Sequence, residues 1–259
     1  MDQQAAQPTE VVVRVIAKDG KFLGDDIGGA LVTLRDVHTG ELLASGNTSG
    51  GSGPMQVMCQ ARQRGTPIPT GSGATAASQF KVTLYMETPR LIEFTALGPL
   101  AAQGSANRAS ATQWVYPGKN LTQGDGLLLE IPGLVVQIIE PPTHFLPKLP
   151  FSTLTIRANV TMMCGCPIGA KPLCDKSVPS PWRPDDFDVF ADIVGPEGSR
   201  ERLPMTFDSH APNNAPSQFI VRYAPKHLGI YDITVCAYQK KNGNTGVARA
   251  TAIFLADSE

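Results

Sequence analysis

Glycine and proline interrupt the apolar runs of this chain too often for long helices. The 25 glycines and 22 prolines are spread among those runs and form no single low-complexity block. That pattern suits many short strands joined by turns. Val11 to Ala17 is β-branched and ends at the turn Lys18-Asp19-Gly20-Lys21. Leu31 to Asp36 and Leu42 to Ser45 continue the pattern on either side of a turn at His38 to Glu41. Phe80, Val82, Leu84 and Met86 alternate onto one face. Leu91 to Leu97, Gln113 to Tyr116, Leu127 to Ile131 and Leu134 to Ile139 read as further strands. No helix of ordinary length is demanded anywhere.

At 259 residues the chain approaches the ~250–300 at which single cores stop growing, so two domains are expected. The composition shifts where Pro141, Pro142, Pro147 and Pro150 follow closely on one another. Residues 9–139 then form one sandwich, 140–150 a semi-rigid proline-rich linker, and 151–259 a second sandwich. In the second, Leu154, Ile156, Ala158, Val160 and Met162 share a face, and Gly229 to Tyr238 gives the clearest alternation. The expected fold class is all-β, two antiparallel β-sandwich (immunoglobulin-like) domains in tandem.

The opening resembles the carboxypeptidase-regulatory-like or transthyretin-like domains. The residues that carry the likeness are the Val-rich strand, the Asp19-Gly20 turn, the run Gly28 to Asp36 and the run Thr39 to Gly50. The end resembles the last hairpin of bacterial immunoglobulin-like domains, with Gly229-Ile230-Tyr231, an alternating strand, the Asn242-Gly243 turn and an Ala/Thr-rich final strand. That resemblance implies a tyrosine corner at Tyr231. Both resemblances imply fold and are silent on ligand.

The net charge is -1, and no run of lysine or arginine exists. Nucleic-acid binding and polybasic membrane anchoring both need such a cluster. No stretch approaches the ~20 apolar residues of a spanning helix, so no membrane insertion is expected. Only 17% of residues are charged, against ~25% in an average soluble protein. That low charge and the many Thr/Ser/Gly turns suit a periplasmic or secreted protein. Met1 to Glu10 has neither the basic start nor the apolar core of a signal peptide, so this expectation takes the leader as removed.

Five cysteines occur, and the densest chemistry lies at Met162-Met163-Cys164-Gly165-Cys166, with Cys174 and Cys236 further on. Disulfides are one reading: Cys164 with Cys236 between sheets, and Cys166 with Cys174 across the loop. Strict alternation on the Tyr231 strand points Cys236 outward, which weighs against the first pair. A soft-metal site is the second reading, since thiolates and thioethers select copper or zinc; Met162, Met163, Cys164, Cys166, Cys174 and Cys236 are its candidate ligands. A cysteine-dependent enzyme is the third, with Cys164 or Cys166 as nucleophile and His210 or His227 as base. Cys59 reads as a buried core residue.

The four histidines make no metal-ligand spacing, and no nucleophile elbow, phosphate loop or dinucleotide fingerprint occurs. Asp185, Asp186, Asp188 and Asp192 read as a solvated strand face. Trp114 and Tyr116 are expected in the core. Trp182, between Pro181 and Pro184, is the surface binding candidate. The reading as a whole is a non-catalytic extracytoplasmic binding or assembly module whose partner is another protein.

Overall fold

The computed structural model describes residues 5–54, 65–73, 76–147, 153–169 and 180–255. The chain is all-β and divides into two units. One comprises Met1–Pro132 with Met163–Cys166, the other Gly133–Met162 with Pro167–Glu259.

The first unit is built from β1 (Gln7–Ala17), β2 (Leu31–Asp36), β3 (Leu42–Asn47), β4 (Phe80–Met86), β5 (Arg90–Gly98), β6 (Asn107–Val115) and β7 (Leu127–Ile131). One sheet has the order β4-β1-β7 and the other β3-β2-β5-β6. Val11, Val13 and Val15 of β1, Val32 and Leu34 of β2, and Ile92, Phe94 and Ala96 of β5 are fully buried. Each of these side chains other than Ala96 contributes about 1.5–3 kcal/mol, which makes this face the core. The reverse side of β1 is also covered: Ile16 packs with Phe22, Ile68, Ala77 and Leu128. Burial on both faces explains why β1 reads as a near-continuous apolar run. β1 pairs antiparallel with β4 and parallel with β7, one exception to the antiparallel expectation.

The second unit contains β8 (Leu134–Glu140), β9 (Leu154–Met162), β10 (Phe187–Val194), β11 (Arg200–Pro204), β12 (Thr206–Phe207), β13 (Gln218–Tyr223), β14 (Gly229–Gln239) and β15 (Thr245–Phe254). Its sheets run β12-β13-β9-β8 and β11-β10-β14-β15. Two consecutive strands start one sheet, the third crosses to the other, and the chain returns before closing on a hairpin. That is the immunoglobulin arrangement. Tyr231 is buried, its hydroxyl donates to the His227 carbonyl at 2.8 Å and accepts the His227 N–H at 3.1 Å. Its ring meets Tyr223 and Phe254 edge-on. This is the tyrosine corner implied by the final hairpin.

Two details of the domain division differ from the sequence reading. β8 pairs with β9 through Leu134↔Met162 to Glu140↔Arg157 and belongs to the second unit. Its apolar run gave no sign of which sheet it would join. The described part of the proline-rich segment is not a free linker. Phe145 donates its N–H to Thr251 O and accepts the N–H of Ile253, binding the segment to β15 inside the same unit. Among the described residues no helix is long and apolar enough to cross a membrane.

Candidate functional site

The turn after β1 carries the first candidate site. Ala17 donates its N–H to Lys21 O, Gly20 donates to Ala17 O, and Asp19 takes a left-handed φ of 56°. The tight turn leaves the Lys21 N–H pointing away, and it donates to Cys164 Sγ at 3.3 Å. A Cβ at Gly20 would stand 2.8 Å from Ala17 Cβ and 3.1 Å from Cys164 Sγ, so glycine makes the room that the sulfur fills. Gly165 has φ +77°, a left-handed position that favours glycine and folds Cys166 back toward Cys164.

Cys164 is fully buried, Cys166 is half-buried, and their side chains are hydrogen-bonded to each other. Burial pushes the Cys164 thiol up, yet hydrogen bonds from Cys166 and from the Lys21 N–H bring it below the ordinary thiol range. The Cys166 thiol is driven far above that range, first by its bond to Cys164 and then by burial. Lys21 and Asp26 act on Cys166 with opposite sign. Both line a cleft of about 510 Å³ with Asp25 and the segment Gly50–Gly53. Lys21 is only 8% exposed.

The remaining sequence candidates do not gather here. Met162 is fully buried and continues the inward row of β9, and Met163 is buried as well. Cys236 is half-buried on β14 near Asp192, Arg202 and Arg249; burial raises its thiol first, and Asp192 adds to that. Cys164, Cys166 and Cys236 are free thiols, so the expected Cys164–Cys236 bridge is absent. The two cysteines belong to different units. Cys174 and Cys59 lie outside the described residues. Among the described residues no three His, Cys, Asp or Glu side chains group as a metal would need. Asp192 pairs with Arg202 at 2.6 Å and Asp188 with Lys240 at 3.0 Å, so those carboxylates are spent on surface ion pairs.

The tryptophans exchange places relative to expectation. Trp182 is fully buried beside Ser180 and Ile168, and its carbonyl accepts the Gly169 N–H. Flanking prolines marked a loop correctly, but this loop folds inward. Trp114 and Tyr116 are 49% and 54% exposed. β6 explains why. It ends the order β3-β2-β5-β6, while the facing sheet has three strands among the described residues. Every residue of β6 except Ala109 and Val115 is exposed, on both faces. Trp114 lies opposite Leu91 in register, and exposed Val37 donates its N–H to the Leu91 carbonyl. His38 sits with its ring centre 6.0 Å from that of Trp114. The alternation of Ala109, Ala111 and Gln113 against Ser110 and Thr112 has no apolar side. That was the one signal of a strand left uncovered.

No family model matches the chain, and no curated protein matches it. Among solved structures it is similar to the Clostridium thermocellum CbhA fibronectin(III)-like modules. The identity is 11%, with 97% of this chain and 98% of that chain covered, at a TM-score of 0.28. That likeness is too slight to bear on function, and the fold rests on the strand order given above.

Proposed function

We propose that this chain is a non-catalytic binding or assembly module that takes up a protein partner by strand addition along the free edge of β6. One observation carries the reading. β6 is a nine-residue edge strand, exposed on both faces, with exposed Trp114 near its end and exposed Tyr116 just beyond it. Natural edges are normally blunted by charge, proline, bulges or a covering segment. β6 holds one charged residue, Arg108, and pairs with β5 without a register shift. Such an edge offers main-chain hydrogen bonds for affinity, and the aromatic side chains offer specificity. The same reading takes the first unit as a carboxypeptidase-regulatory-like or transthyretin-like sandwich, supported by its opening strands and turns. It also takes the protein to work in the periplasm or outside the cell, supported by its low charge.

Photo-crosslinkers placed at Ser110, Thr112 and Trp114 of the full chain, in its native host, test the proposal. One and the same protein is expected from all three positions. A control at Tyr85 on β4 should not capture it. Equal capture from Tyr85, or no adduct from β6, would overturn it.

A further inference from the structure

We propose that Cys164 and Cys166 form a two-sulfur site for a soft monovalent cation, copper(I), with the Lys21 ammonium as its counter-charge. This goes beyond the binding role of β6 and does not depend on it.

Convergence comes first. Cys164 and Cys166 flank the left-handed Gly165 and bond to each other through their side chains, and the Lys21 N–H fixes the Cys164 sulfur at 3.3 Å. Gly20 keeps that seat open. Access comes next. Cys164 is fully buried and only Cys166 has exposed surface, so a bulky disulfide or alkylating reagent meets one sulfur alone. A bare ion is small enough to settle between the two.

The donor set decides the metal. Thiolates select soft cations. Zinc takes four ligands in structural sites and three plus water in catalytic ones. No third cysteine, histidine or carboxylate joins this pair among the described residues. Copper(I) is satisfied by two thiolates. Binding releases both thiol protons and forms a bis-thiolate complex of charge minus one, with no electron transferred. Lys21, which acts electrostatically on Cys166, supplies the balancing charge. Met162 is not a ligand of the pair, because it belongs to the inward row of β9.

The test uses the full chain, reduced and free of oxygen, with copper(I) added as its acetonitrile complex against a bicinchoninate competitor. One copper(I) per chain is expected. Cys166→Ser should weaken uptake roughly a hundredfold or more, since even outer-shell changes cost tenfold to a hundredfold. Lys21→Met should weaken it roughly five- to tenfold, as loss of one nearby charge does, and Lys21→Arg should restore it. Cys59→Ser, Cys174→Ser and Cys236→Ser should leave it unchanged. Loss of uptake in any of those three overturns the proposal, as does undiminished uptake in Cys166→Ser. If Cys166→Ser misfolds, X-ray absorption of the copper-loaded unmodified chain decides. Two sulfur neighbours support the site, and a nitrogen or a third sulfur overturns it. A chain that takes up no copper(I) once reduced, but is isolated with Cys164 and Cys166 bridged, is a redox pair and not this site.

Discussion

Two tryptophans report on opposite halves of this protein, and replacing them separates packing from recognition. Trp182 is fully buried and Trp114 is half exposed. Trp182→Ala should cost about 3–5 kcal/mol, the usual range for a large aromatic removed from a core. Trp114→Ala should change stability by less than about 0.5 kcal/mol, as surface substitutions do. Urea denaturation measures both. Equal costs would mean that one of the two environments is misassigned. Acrylamide should quench fluorescence strongly in Trp182→Phe, where Trp114 is the remaining indole, and weakly in Trp114→Phe.

A second residue-scale prediction concerns acid. Arg157 of β9 holds Glu140 at 3.3 Å, Gln218 at 3.2 Å and the Asp208 carboxylate. The hydrogen bond from Arg157 is the first reason that Asp208 titrates below the ordinary carboxylate range, and the His210 N–H assists. A carboxyl whose folded pKa is depressed stabilises the fold at pH values above its unfolded pKa of about 3.9. That contribution disappears as pH falls through the lower, folded value. Asp208→Asn should therefore be less stable than the unmodified chain at neutral pH and converge with it in acid, below about pH 4. Melting curves of both chains across that window check it. A constant gap at every pH would remove the ion pair as the cause. The exposed Asp192–Arg202 pair should add little.

At the scale of elements, β6 and β14 are opposites. β14 lies between β10 and β15 and buries every second residue from Tyr231 to Gln239. Among the described residues β6 pairs on one side only. Amide exchange should be slowest in β14 and, in β6, fast at the N–H groups that face away from β5. Uniform protection along β6 in the isolated chain would show that its edge is already covered. β14 was also the element most legible in the sequence. A strand buried on one face writes its alternation into the chain, and Tyr231 marks its entry. β6 was legible as a strand near Trp114, and its exposure only in the lack of an apolar side from Ala109 to Gln113. Nothing local to Trp114 records that, among the described residues, the facing sheet has three strands against four. β8 shows the same limit, since Leu134 to Ile139 suits either sandwich. The thiol pair was half legible. The Met-Met-Cys-Gly-Cys segment stood out, but the seat that holds Cys164 is the Lys21 amide, far away in sequence. A backbone donor leaves no residue-type signature.

For the whole molecule, the place of β8 has a consequence that truncation can reveal. Cutting at the proline-rich segment would give 151–259 as the second sandwich, whereas the structure puts Gly133–Met162 in that unit. Leu134, Val135 and Val136 are at most 3% exposed, and the Gly246 backbone packs so closely that a Cβ there would come within 2.4 Å of Leu134 O. Three such side chains contribute about 1.5–3 kcal/mol each. Total stabilities are only about 5–15 kcal/mol, so losing β8 removes much of what holds the unit together. The Glu140 partner of Arg157 and the Phe145 strap on β15 go with it. A fragment of residues 133–259 should show one cooperative thermal transition and a near-ultraviolet dichroism signal. A fragment of 151–259 should show neither. If the two fragments melt alike, β8 is dispensable and the second sandwich closes without it. If 133–259 also fails while the full chain folds, the second unit does not fold without residues 1–132.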